Sequence, residues 1–225
     1  TVVTASGLSA ISVALGALVS AGDHILISDS VYGPTRTFCN QVLSRYGVTT
    51  EYYPPDIGDA IAELIQKNTR LVFMEAPGSL TFEMQDIPGI TRATKEKGVL
   101  TLMDNTWATP IFFRPLEHGV DVSIQAGTKY IAGHSDLVIG MITSSREVTH
   151  RMMVSHAHNL GDAASPDDSF MALRGLRTLS VRLYRQQESA FKVASWLVEQ
   201  PQVYRVLYPA LPGDPGHALW KRDFK

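Results

Sequence analysis

Short apolar runs alternate with helical patterns along this chain, and that alternation most constrains its fold. His24-Ile25-Leu26-Ile27-Ser28, Leu71-Val72-Phe73-Met74, Val99-Leu100-Thr101-Leu102-Met103 and Val120 to Ile124 read as strands, and Leu137 to Thr143 is a further apolar run. They are near-continuously apolar rather than alternating, as strands covered on both faces must be. An α/β architecture follows, with a mainly parallel sheet sandwiched by helices.

The helical stretches fit between these runs. Leu8, Ile11, Leu15 and Leu18 lie on one apolar stripe, with Ser6 as N-cap and Gly22 as terminator. Tyr32-Gly33 is the turn after the first strand, leading into a helix through Phe38, Val42 and Leu43. Tyr52-Tyr53-Pro54-Pro55 reads as a connection, and Asp59 to Gln66 as an amphipathic helix with Ile61, Leu64 and Ile65 on its apolar face. Ile87 to Glu96 is helical and ends at Gly98. After a polar helix from Glu147 to His158, Pro166 opens one long helical stretch to about Gln200, which Pro201 stops. Val203 to Tyr208 then reads as the first strand of another domain. The expected units are 1–176 and 177–225, divided near Arg177.

Composition narrows the function classes. With 44% hydrophobic and 19% charged residues the chain is an ordinary soluble one, and a net charge of -2 argues against nonspecific nucleic-acid binding. Cys39 is the only cysteine, which fits a reducing compartment and a cytoplasmic location. Thr1-Val2-Val3-Thr4 lacks the basic start of a secretory leader. Ile11 to Val19 is interrupted by Ser12 and Gly16 and falls short of the ~20 residues of a membrane span, so no membrane partner is expected. The chain has no initiator methionine and stops on Trp220-Lys221-Arg222-Asp223-Phe224-Lys225, so both ends are expected to be cuts through a longer protein. No metal site is expected. His156 and His158 stand two apart on a helix and face different directions, and no Cys or Glu partner lies at zinc-ligand spacing. The glycine signatures of dinucleotide and nucleoside-triphosphate sites are absent as well.

Two ionisable residues stand out. Lys129 lies between two apolar runs, where its amine is expected to be partly desolvated and available as a nucleophile toward an aldehyde. Asp104 ends an apolar strand, where a carboxylate is costly to bury unless a cation or strong donor meets it. Both would project from strand ends toward one crevice, as would Tyr32, because open α/β sheets bind ligands at the carboxyl ends of their strands. Ser6-Gly7 at a helix start is a natural phosphate seat. Each feature alone also has a plainer reading: a loop lysine reaching water, a turn aspartate, a packed tyrosine, a capped helix with nothing bound.

Taken together, the ordered motifs Ser6-Gly7, Tyr32-Gly33, Asp104-Asn105-Thr106, Thr128-Lys129-Tyr130 and Arg174-Gly175-Leu176-Arg177 resemble the pyridoxal-phosphate enzymes of cysteine and methionine metabolism, of fold type I. The resemblance runs through essentially the whole chain. It implies an aspartate aminotransferase-like cofactor domain followed by the start of a carboxyl-terminal α+β domain. It also implies that Lys129 holds pyridoxal 5'-phosphate, Asp104 pairs with the ring nitrogen, Tyr32 stacks on the ring, and Ser6, Gly7, Leu8 and Thr128 serve the phosphate. Glu75-Ala76-Pro77-Gly78-Ser79 and Gln125-Ala126-Gly127-Thr128-Lys129 depart from the commonest family patterns toward its bacterial branch that β-eliminates L-cystathionine to homocysteine, pyruvate and ammonia. Ala126 replaces the family serine, removing one phosphate hydroxyl. The γ-synthase and γ-lyase branches share the same lysine, aspartate and tyrosine and are the nearest alternatives; a non-catalytic scaffold is a further one. A homotetramer built of catalytic dimers is implied by the resemblance alone.

Overall fold

The computed structural model describes residues 1–224. In chain order its elements are β1 (Val2–Thr4), α1 (Gly7–Leu18), β2 (His24–Ser28), α2 (Gly33–Gln41), β3 (Thr49–Tyr53), β4 (Thr69–Glu75), α3 (Ile87–Glu96), β5 (Leu100–Asp104), α4 (Thr109–Phe112), β6 (Val122–Gln125), β7 (Gly140–Ser144), α5 (Glu147–Leu160), α6 (Pro166–Leu176), α7 (Leu179–Val198) and α8 (His217–Asp223). The strands form one sheet in the order β1-β7-β6-β5-β4-β2-β3. The pairs β2–β3, β2–β4, β4–β5 and β5–β6 are parallel, and β7 runs antiparallel to both β6 and β1. The expected mainly parallel sheet is therefore present.

Alternate residues of the central strands feed two separate cores, which is why the strands read as continuous apolar runs. Ile25, Ile27, Leu71, Phe73, Leu102, Val122 and Ile124 pack with Ala10, Ile11, Val13, Ala14, Leu15 and Leu18 of α1 and Met153 and Ala157 of α5. Leu26, Val72, Met74 and Met103 pack on the other face with Ile87, Ile90 and Ala93 of α3, Tyr53 and Ile61. Each fully buried Leu, Ile or Phe contributes about 1.5–3 kcal/mol relative to exposure, so both helical layers are firmly held. Leu8, expected on the α1 stripe, is instead 40% exposed, and Ala10, Val13 and Ala14 fill the inner face.

Several local expectations are corrected. The stretch from Asp59 is a 3-10 segment, Gly58–Glu63, and the Thr69 hydroxyl accepts the Gln66 N–H at 2.7 Å beyond it. Tyr52 and Tyr53, read as part of a connection, end the edge strand β3, Thr49–Tyr53. The single long helix after Pro166 is two, α6 and α7, broken at Arg177-Thr178. Residues 203–208 form no strand: no described strand offers them a ladder, and the Tyr208 N–H donates to the Asp214 carboxylate at 3.2 Å. His156 lies against α1, its Nε2 2.6 Å from where a Cβ on Gly16 would stand, whereas His158 is exposed. Among the described residues no helix is long and apolar enough to cross a membrane.

Candidate active site at the carboxyl ends of the strands

Sheet direction gathers the sequence-predicted residues. The parallel strands β2, β4, β5 and β6 end on one edge, and β1, antiparallel to β7, runs the same way as β6. Five chain segments therefore leave the sheet side by side: Ser6-Gly7 after β1, Tyr32 after β2, Glu75 at the end of β4, Asp104 at the end of β5, and Lys129 after β6. Asp104 is paired in register with Glu75 on one side and Ile124 on the other.

Asp104 is 7% exposed, and its Oδ1 accepts the Thr106 N–H at 2.9 Å. Burial pushes its carboxyl above the usual carboxylate range, and the Thr106 contacts only partly offset this. A buried acid in that state is ready for a cationic partner. Thr106 also ties the acid to the lysine segment, because its hydroxyl accepts the Ala126 N–H at 2.7 Å. From Ala126 the chain makes a compact turn: Lys129 N–H to Ala126 carbonyl at 3.0 Å, Ala132 to Gly127 at 2.9 Å, and Gly133 to Lys129 at 2.8 Å. Lys129 itself is exposed, which corrects the expected partial desolvation. β6 and Ile142 of β7 are buried in the sheet, but the turn between the two strands carries the lysine out to the open strand-end edge.

Thr128 lies beside it with its hydroxyl engaged. That hydroxyl donates to the Ile139 carbonyl at 3.1 Å and accepts the Ile139 N–H at 3.0 Å, closing the turn onto the start of the return strand. A phosphate would receive its proton only if the Ile139 carbonyl lost it.

The helix start fits an anion through backbone groups. Ser6 caps α1 by accepting the Ser9 N–H at 3.0 Å, and the amides of Gly7 and Leu8 have no acceptor among the described residues. Gly7 is required for packing as well: a Cβ there would stand 2.6 Å from the Ala126 methyl, so only glycine lets α1 start against the lysine turn. Asp162, which sequence reasoning passed over, accepts the Ala5 N–H at 3.0 Å and the Ser9 hydroxyl, fastening the α5–α6 connection to this end of α1.

Tyr32 stands at the N-cap of α2, 45% exposed, and its N–H donates to Glu75 Oε2 at 2.7 Å. Glu75 was missed as a site residue, although a carboxylate ending an apolar strand is the same signal that singled out Asp104. Burial, then the nearby charge of Asp104, pushes its carboxyl up to about 8. A carboxyl with a folded pKa near 8 stays protonated while the unfolded chain ionises above 4.5, so stability is fully present below 4.5 and is lost as pH rises toward 8. One such group gives a slope of at most about 1.4 kcal/mol per pH unit. Urea melts of the cofactor-free protein between pH 5 and 8 are expected to lose stability less steeply for Glu75→Gln than for the parent. Parallel profiles would contradict the assignment.

This geometry coincides with a family. The model for "Cys/Met metabolism PLP-dependent enzyme" matches residues 1–225. The chain belongs to that family. It is 45% identical over 220 residues to the cystathionine beta-lyase of Salmonella typhimurium, covering 97% of this chain and 55% of that protein. It is 44% identical over 220 residues to the L-alanine/L-glutamate racemase of Wolbachia pipientis, covering 98% of this chain and 54% of that protein. The crystal structure of cystathionine gamma synthase from Xanthomonas oryzae, solved with aminoacrylate and cysteine, superposes with a TM-score of 0.96 at 33% identity, over 100% of this chain and 58% of that one. The chain thus spans little more than half the length of these family members. Pyridoxal phosphate is the cofactor the family implies, and the donor set suits it: a buried acid for a ring nitrogen, free helix-start amides for a phosphate, and an accessible amine.

Proposed function

We propose that the full-length protein is a pyridoxal-phosphate-dependent carbon–sulfur lyase that cleaves L-cystathionine by β-elimination to homocysteine, pyruvate and ammonia. One observation carries the reading: the buried Asp104 and the exposed Lys129 leave adjacent strands on the same edge and are tied through Thr106 and Ala126. The identity to the Salmonella lyase supports the choice of substrate.

Bound pyridoxal phosphate supplies an electron sink for the negative charge left at the substrate Cα. The chain's residues do the rest. Lys129 would hold the cofactor through its amine and, when that amine is free, take the Cα proton. Asp104 would keep a proton on the ring nitrogen. Tyr32, fixed through Glu75, would lie against the ring, and the Gly7 and Leu8 amides at the Ser6-capped helix start would hold the phosphate. Thr128 would orient Lys129 by closing its turn and would reach the phosphate only by leaving the Ile139 carbonyl. The Cβ–S bond then breaks as a Cα=Cβ bond forms, the thiolate leaves with the C–S electron pair and takes up a proton, and water hydrolyses the released enamine to pyruvate and ammonia.

The Wolbachia relative favours a second reading, amino-acid racemisation, in which the same Cα proton is removed and returned on the opposite face with no bond broken at Cβ. Assays of the full-length protein with pyridoxal phosphate separate these. Pyruvate and a free thiol from L-cystathionine are expected. 2-Oxobutyrate would assign γ-elimination, and D-alanine from L-alanine without pyruvate would assign a racemase. We further infer a cytoplasmic homotetramer with a cofactor domain over 1–176 and a second domain beginning at 177. The family resemblance and the lone Cys39 support this, and light scattering on the full-length protein tests the subunit number.

A further inference from the structure

Arg182 lies in the first turn of α7, where its own helix gives a cation no welcome, because the N-terminal end of the macrodipole is positive. No acidic side chain pairs with it among the described residues. Its hydrogen bonds go to backbone and hydroxyl oxygens of two other segments. Nη2 donates to the Gly175 carbonyl at 2.9 Å and to the Ile131 carbonyl at 3.3 Å, and Nε donates to the Thr178 hydroxyl at 3.0 Å. Nη1 is buried without an acceptor. Gly175 is the last turn of α6, so the guanidinium lies at the negative end of that helix, and Ile131 belongs to the turn that carries Lys129.

Both contacts are reserved by glycines. A Cβ on Gly133, which has φ +78, would strike the guanidinium, and a Cβ on Gly175 would strike the carbonyls of Ile131 and Ala132. Apolar contacts back the same joint, with Leu179 and Leu183 of α7 packed on Ile131. Only a planar fork with several donors can serve the Ile131 carbonyl, the end of α6 and Thr178 at once; an ammonium reaches one or two.

From this geometry we propose that Arg182 is a positioning residue for Lys129, locking the lysine turn to the α6–α7 junction so that the amine is presented in one orientation. The proposal rests on the reading of Lys129 as the cofactor-holding amine. It goes further in making that orientation depend on a side chain fifty-three residues away that touches neither cofactor nor substrate.

The test uses the full-length protein as parent, Arg182→Met and Arg182→Lys, with Ile61→Val in the distant second core as a control for general destabilisation. In the cofactor-free proteins, amide exchange at Ala132 and Gly133 is expected to be about tenfold faster in Arg182→Met than in the parent, and unchanged in the control. After addition of pyridoxal phosphate, borohydride trapping at timed intervals is expected to find the adduct on Lys129 forming about tenfold more slowly in Arg182→Met, with Arg182→Lys between the two. If Arg182→Met does not fold, Arg182→Lys against the parent decides the matter by the same two measurements. Unchanged exchange and trapping in the variants, or a slowing matched by Ile61→Val, would overturn the proposal. An adduct on another lysine in the parent would overturn the reading of Lys129 instead, and the exchange data would still report on the staple.

Discussion

Lys129→Ala in the full-length protein is expected to abolish turnover, with a loss of at least about a thousandfold. One amine would carry two duties, holding the cofactor and taking the Cα proton, and no second lysine lies on the Ala126–Gly133 turn to replace it. Binding of pyridoxal phosphate should weaken less than turnover, because the helix-start amides and Asp104 remain. Lys129→Arg separates charge from chemistry: it keeps a cation on the turn but offers no free amine, and should fail as completely. Turnover within tenfold of the parent in either variant would remove Lys129 from the mechanism.

Asp104→Asn should be nearly as damaging, by about a hundredfold to a thousandfold in kcat. The substitution keeps size and an oxygen able to accept the Thr106 N–H now received at 2.9 Å. It removes the negative charge that would keep a proton on a ring nitrogen. A buried carboxyl that burial pushes upward regains its ionised form when a cation arrives, whereas an amide has nothing to regain. The amide keeps the acceptor for the Thr106 N–H and leaves no carboxylate to desolvate, so the variant should melt no lower than the parent while losing activity. A large fall in stability with intact kcat would mean that Asp104 serves the fold and not the reaction.

The central layers were legible because β2, β4, β5 and β6 feed two cores and must be apolar on both sides, which leaves an unmistakable trace in the residues. Edges leave less. β3 carries Thr49, Thr50 and Glu51 and has a neighbour on one side only, and β1 spans only Val2–Thr4, too short for any periodicity. The break between α6 and α7 was hidden because no proline marks it; there the Thr178 hydroxyl and the Arg182 guanidinium donate to the Gly175 carbonyl. At the site, the strand-end logic that found Asp104 and Lys129 says where a side chain leaves the sheet but not what covers it, so the exposure of Lys129 could not be read. Thr128 shows the same gap: residue type offers a hydroxyl, and only the fold reveals that Ile139 uses it. Arg182 and Asp162 act from segments far along the chain, a closeness that local pattern cannot express.

The amine on the turn after β6 and the acid ending β5 would serve one bound heterocycle. Borohydride reduction of the full-length protein with pyridoxal phosphate, followed by peptide mass mapping, tests it most directly. A single reduced adduct on Lys129, strongly diminished in Asp104→Asn, is the predicted result. An adduct on a different lysine, or one on Lys129 indifferent to Asp104, would contradict it.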